Sequence, residues 1–194
     1  MSLSRYLTVL PAALIGVTLA APAAQAAPPQ PPAVDKVDVD RYQGTWYQVA
    51  AVPQLFEIQC AKNVKARYTL TATGTIGVRN SCTTWLRTTS AINGEAKALD
   101  SSGARLNVSF RKSGDSYAHT DDANYIVTGL DRDYRWAVVT DSDRESGFVL
   151  SRNPTLTARQ LSAATASIAA AGLDACDFRI TRQDGGANRS GSLC

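Results

Sequence analysis

Four cysteines and a single histidine are the side chains of this chain whose types could support nucleophilic, redox or metal chemistry. Cys60, Cys82, Cys176 and Cys194 include no C-x-x-C pair, and His119 is remote from all four, so the spacing does not suit a metal site. In a chain that reads as exported, four cysteines imply two disulfides; three pairings are open, and spacing does not choose among them. Catalysis is no easier to assemble. No Ser-His-Asp or Cys-His set can be built around one histidine in a polar loop, and Asp121-Asp122 and the Asp131/Asp133 pair read as turn residues. The sequence therefore predicts a protein that is not an enzyme and that carries no cofactor and no metal.

The strongest signal is non-covalent. Gly44-Thr45-Trp46 heads a β-rich region that ends in Leu150-Ser151-Arg152. The pairing predicts a barrel closed at one end, with the Trp46 indole plugging the floor and the Arg152 guanidinium lying across its face. A contact of this kind stabilises by about 0.5–2 kcal/mol, more where water is excluded. The plainer alternative is an ordinary core aromatic and a solvated strand-end charge.

The N-terminus carries Arg5, an apolar stretch from Leu7 interrupted by Pro11, and an A-x-A site at Ala24-Gln25-Ala26. These features predict a cleavable secretory signal peptide over residues 1–26. The stretch is too short for a transmembrane anchor, and no cysteine follows it to take a lipid. The expectation is a secreted, extracellular protein with no membrane anchor; transient contact with a membrane surface stays open. Residues 27–36, with Pro28-Pro29-Gln30-Pro31-Pro32, read as a disordered spacer. The remainder is long enough for one domain with a sizeable core. The formal net charge is +3 and the basic residues are scattered, which argues against a nucleic-acid partner.

From Trp46 onward apolar residues recur with period two, broken by turn residues. The pattern predicts strands over 46–52, 63–70, 75–82, 84–89, 95–99, 105–111, 124–130, 134–140 and 147–152. Ala72-Thr73-Gly74 and Asn93-Gly94 are read as hairpin turns, and 112–122 as a polar loop. Eight or nine short antiparallel strands in one domain imply a barrel or a sandwich. One helix follows, opened by a capping box at Thr157-Ala158-Arg159-Gln160, with Leu161, Ala164, Thr165 and Ile168 on one stripe and Gly172 as its stop. A further strand over 177–182 precedes a flexible tail, 184–194, tethered by Cys194.

These segments resemble the lipocalin family, in its bacterial and apolipoprotein-D-like branch. Val39-Asp40-Arg41-Tyr42-Gln43-Gly44-Thr45-Trp46-Tyr47 is similar to the first family signature, and Gly129-Leu130-Asp131-Arg132-Asp133-Tyr134 to the second. Phe148-Val149-Leu150-Ser151-Arg152-Asn153-Pro154 is similar to the third. The resemblance implies an all-β fold over 37–183: an eight-stranded antiparallel up-and-down barrel with one C-terminal α-helix packed outside. Gly44, Trp46, Asp131 and Arg152 would be structural signature residues, with Val39 and Tyr42 capping the closed end. The chain departs from the branch in having no lipid-anchoring cysteine, in Phe148 where tryptophan is usual, and in a longer 112–122 loop. The branch also favours a Cys60–Cys194 bridge, with Cys60–Cys82 and Cys176–Cys194 as the open alternative.

The family implies a small hydrophobic ligand, such as a fatty acid or lysophospholipid, inside the barrel. Strand alternation predicts the lining residues: Val64, Ala66, Tyr68, Val78, Leu106, Val108, Phe110, Tyr125, Val127, Trp136, Val138, Phe148 and Leu150. Small residues counted on the same faces, Ala66, Ala96, Ala98 and Gly129, favour a cavity over a solid core. Two other readings compete: an enzyme of this fold acting on a lipophilic substrate, and an interaction module using open-end loops at Leu55-Phe56 and 112–122.

Overall fold

In the computed structural model, residues 29–187 and 190–194 are described, and the expected signal peptide at 1–26 lies outside them. The Asp38 carboxylate accepts from the Asp40 and Arg41 N–H groups and so caps one helical turn, α1 (Val39–Tyr42). The strands β1 (Gly44–Ala51), β2 (Cys60–Leu70), β3 (Ile76–Thr84), β4 (Thr89–Ala98) and β5 (Arg105–Ser109) follow as an antiparallel meander. After a two-stranded hairpin, β6 (Lys112–Ser113) and β7 (Ser116–Tyr117), come β8 (Tyr125–Leu130), β9 (Trp136–Thr140) and β10 (Gly147–Ser151). β10 pairs back onto β1, Tyr47 opposite Ser151 and Ala51 opposite Phe148, which closes eight strands into a barrel. Closure leaves no long free edge for another chain to pair with.

The wall has a seam between β1 and β2. β1 pairs with β2 only from Gly44 to Tyr47; above that β1 bulges at Val49 and the two strands part. A short strand, β11 (Arg179–Ile180), takes up the place beside β1, with Ala50 opposite Ile180. The buried Gln183 amide then bridges the gap, donating to the Gln48 carbonyl at 2.8 Å and the Val64 carbonyl at 2.9 Å.

The helix α2 (Ala158–Ala170) begins at the capping box the sequence predicts, and Gly172 follows it at φ +78°. Ala164 and Ile168 are buried against Trp136, Val138, Val149 and Phe178, forming a second core outside the barrel. Close approach depends on Gly129: a Cβ there would lie 2.5 Å from Ser167 Cβ.

Three expectations are corrected, and the 112–122 loop is placed. Asn93-Gly94 is not a turn; β4 runs straight through it, because the Phe110 ring occupies the space where a Gly94 Cβ would stand. The turn falls instead at the tip joining β3 to β4, around Trp85 and Leu86. Residues 29–36, expected to be a disordered spacer, pack along the barrel: the Val34 N–H donates to the Val127 carbonyl, Arg105 holds Gln30 and Pro31, and Pro31 is buried. The 112–122 loop folds back on the outer wall, where His119 Nδ1 and Nε2 meet Asn107 Oδ1 at 3.0 Å and Glu95 Oε1 at 3.1 Å. Finally the disulfides are the local ones, Cys60–Cys82 and Cys176–Cys194, not Cys60–Cys194. Antiparallel pairing brings β2 and β3 together at Cys60 and Cys82, while the tail runs back past β11, with Leu193 N–H donating to the Phe178 carbonyl. Each short loop closed in this way stabilises the fold by about 3 kcal/mol in the chain-entropy treatment.

Gly129→Ala is expected to destabilise the protein by about 1–3 kcal/mol, since Ser167 Cβ cannot move without shifting the helix. Urea unfolding followed by circular dichroism measures it. An unchanged midpoint would contradict the helix packing described.

Candidate functional site: the barrel interior

The floor is built first from Trp46, which is fully buried and donates its indole N–H to the Tyr42 carbonyl at 2.8 Å. The Arg152 guanidinium covers the indole, its Cζ 3.9 Å from the ring centroid. The same guanidinium donates to three carbonyls: Arg41 at 2.7 Å, Thr45 at 3.0 Å and Tyr134 at 3.3 Å. Beside it the Asp131 carboxylate holds Arg135 at 2.9 Å and fixes the turn before β9, and these hydrogen bonds lower its pKa.

Above the floor lies a layer of tyrosines. The Tyr42 ring stands 4.7 Å from Trp46 and 5.6 Å from Tyr68, centroid to centroid. The Tyr125 hydroxyl hydrogen-bonds both Tyr42 and Tyr68 hydroxyls, at 2.9 Å each. Burial away from water disfavours the phenolates: Tyr68 is pushed up to about 12, and Tyr42 and Tyr125 are raised as well. Ala66, Val78, Leu106, Val127 and Leu150 belong to the same buried cluster, with Val108 and Phe148 partly buried against it. The lower half of the barrel is thus closed by side chains.

The upper half is different. Strand register places Ile92 opposite Asn80, which is opposite the inward-facing Ala66, so Ile92 also faces inward. Phe110 lies over Gly94 on the same inner surface. Yet Ile92 is 50% exposed and Phe110 39% exposed. Large apolar side chains that face inward and still meet solvent define an open mouth. Asn80 Oδ1 is buried in this wall without a hydrogen-bond partner among the described residues.

A recess of about 500 Å³ opens along the seam. Gln48, Ala51, Val64, Leu55, Ile58 and Trp85 are among its lining residues. Glu57 accepts from the Gln48 amide at 3.0 Å, and burial raises its pKa. Among the described residues no group of three or more His, Cys, Asp or Glu is placed to hold a metal, and no cysteine is free.

Trp136 and Val138, expected to line the interior, face outward under α2, as does Gly129, whereas Ala98, although exposed, lies opposite the inward-facing Leu106 and keeps the inner face expected of it. All five residues of β9 are buried, so no polar position marks which face is which. A slip of one residue reverses every side chain. The inward residues of β9 are Ala137 and Val139. The residues that sequence reading missed, Gln48, Glu57, Trp85 and Ile92, sit at the seam and mouth. Only the alternation of β4, masked by taking Gly94 for a turn, could have exposed Ile92.

Eight antiparallel strands plugged at one end, open at the other and flanked by a helix are the architecture of lipocalins. A lipocalin-like domain family model matches residues 37–183. Outer membrane lipoprotein Blc of Escherichia coli (strain K12) is 32% identical over 169 residues, covering 81% of this chain and 88% of that protein. Apolipoprotein D of Mus musculus is 35% identical over 83 residues, covering 42% of this chain and 43% of that one. Among solved structures, insecticyanin of the tobacco hornworm Manduca sexta superposes with a TM-score of 0.62 at 16% identity, covering 81% of this chain and 85% of that one. The chain belongs to the lipocalin family, in the branch that includes the bacterial and apolipoprotein-D-like members.

The tyrosine layer makes stability pH-dependent. Below tyrosine's ordinary pKa of 10.0 its contribution is complete; as pH rises toward about 12 the unfolded chain ionises while Tyr68 does not, so stability falls. Urea midpoints that drop from about pH 10 upward are expected, with the tyrosinate absorbance of Tyr42, Tyr68 and Tyr125 delayed until unfolding. Ionisation of every tyrosine near pH 10 in the folded protein would contradict a sealed layer.

Proposed function

We propose that this lipocalin is an exported binding protein for a small hydrophobic or amphipathic molecule, such as a fatty acid or lysophospholipid, held in the upper half of the barrel. The observation that carries the reading is the pair Ile92 and Phe110, inward-facing and exposed above a closed floor. Val108 and Phe148, partly buried on the inner face, and Val64, on the seam recess, supply further apolar contact. Removing about 300 Å² of apolar ligand surface from water contributes around 7 kcal/mol before association costs. The floor tyrosines hold the barrel shut and do not reach the ligand. The two disulfides fit an oxidising compartment, which supports export and secretion after removal of residues 1–26. All four cysteines are bridged, which supports a binding role over thiol catalysis.

Titration with fatty acids, lysophospholipids, sterols and retinoids, followed by tryptophan emission, tests the reading. Saturable binding is expected, with the signal from Trp85 at the mouth and little from Trp136 under the helix. Phe110→Asp should weaken binding by about 10-fold or more, because a charge would stand in the apolar mouth. Undiminished binding to that variant, or none to the parent, would overturn it.

A further inference from the structure

We propose that the barrel mouth docks onto an anionic phospholipid surface, through an apolar tip that two loops build together. Leu55, Phe56 and Ile58 on the turn after β1 are 88, 63 and 75% exposed, and Trp85 and Leu86 at the β3–β4 tip are 66 and 86% exposed. These five account for most of the large apolar side chains left exposed among the described residues, and they lie together. The Trp85 indole N–H donates to the Ile58 carbonyl at 2.9 Å, joining the two loops. The Cys60–Cys82 bridge sits directly behind both, so each tip is pinned to the same point of the wall.

The charges around the tip are mainly positive. Lys62, Arg87, Arg179 and Arg182 border the recesses that Trp85 overhangs, against two carboxylates, Glu57 and Asp184. Glu57 is turned inward onto Gln48, and Asp184 is held by Lys62 at 2.7 Å and by Asn63 at 2.8 Å. Arg87, Arg179 and Arg182 are exposed, and no carboxylate lies within 4.0 Å of them among the described residues. Apolar side chains on projecting tips, ringed by unpaired guanidinium groups, match a surface with phosphate heads over fluid hydrocarbon. Docking there would set the open mouth against the lipid. It stands whether or not the barrel carries a ligand.

The test is co-sedimentation of the exported chain with phosphatidylcholine vesicles, with and without phosphatidylglycerol, while Trp85 emission is recorded. Expected are binding to the phosphatidylglycerol vesicles, a blue shift of the emission, and release on adding salt. Phe56→Ser/Leu86→Ser should lower the partition by about 10-fold or more, while circular dichroism and ligand titration in solution stay unchanged. Arg87→Gln/Arg182→Gln should remove the preference for phosphatidylglycerol. Phe110→Asp should still sediment, which separates failure of ligand binding from failure of docking. No sedimentation of the parent chain, equal sedimentation of Phe56→Ser/Leu86→Ser, or a dimer that Leu86→Ser dissolves would overturn the proposal.

Discussion

The guanidinium of Arg152 stacked on the indole of Trp46 is the contact on which the barrel's two unlike ends depend. Burial opposes the charge and lowers the Arg152 pKa, an effect offset by the indole face and three carbonyl acceptors. Those acceptors come from α1, from β1 and from the turn before β9, so one side chain at the end of β10 ties three separate segments. Trp46 passes the constraint on through its hydrogen bond to Tyr42, and Tyr42 through its hydroxyl to Tyr125 and then Tyr68. The lower barrel is a relay of such directional contacts around an aromatic core.

With that end closed, freedom is concentrated at the other. The upper wall parts between β1 and β2, and the chain repairs it with β11 and the amide of Gln183 rather than with a continuous ladder. Both disulfides fall in this looser half or beside it: Cys60–Cys82 behind the mouth loops, and Cys176–Cys194 fastening the tail that runs along β11. Covalent links thus stand where the hydrogen-bonded wall is least regular. The apolar side chains of the mouth remain uncovered for the same reason, since no strand or helix among the described residues crosses above them.

The floor was legible because its residues are read from type and position: a glycine before a buried tryptophan at the first strand, an arginine ending the last, and an acidic turn residue at Asp131. The helix was legible from its capping box and stripe. Strand phase was legible only where one face is polar. On β5 the alternation of Leu106 and Val108 with Asn107 and Ser109 gave the right inner face. On β9, Trp136 to Thr140 are buried on both sides, and periodicity carried no phase. Gly94 misled because a glycine after asparagine is the usual mark of a tight turn, whereas here it makes room for the Phe110 ring just past the end of β5. The disulfide pairing depended on which strands adjoin, and the seam on where two strands part; neither is a local property of the chain.

Hydrogen exchange at the indole nitrogens tests the sealed floor most directly. The Trp46 indole proton, buried beneath Arg152 and bonded to the Tyr42 carbonyl, is predicted to exchange only through global unfolding, orders of magnitude more slowly than that of the exposed Trp85. Exchange of Trp46 at a rate comparable to Trp85 would contradict a floor closed by the arginine and the indole.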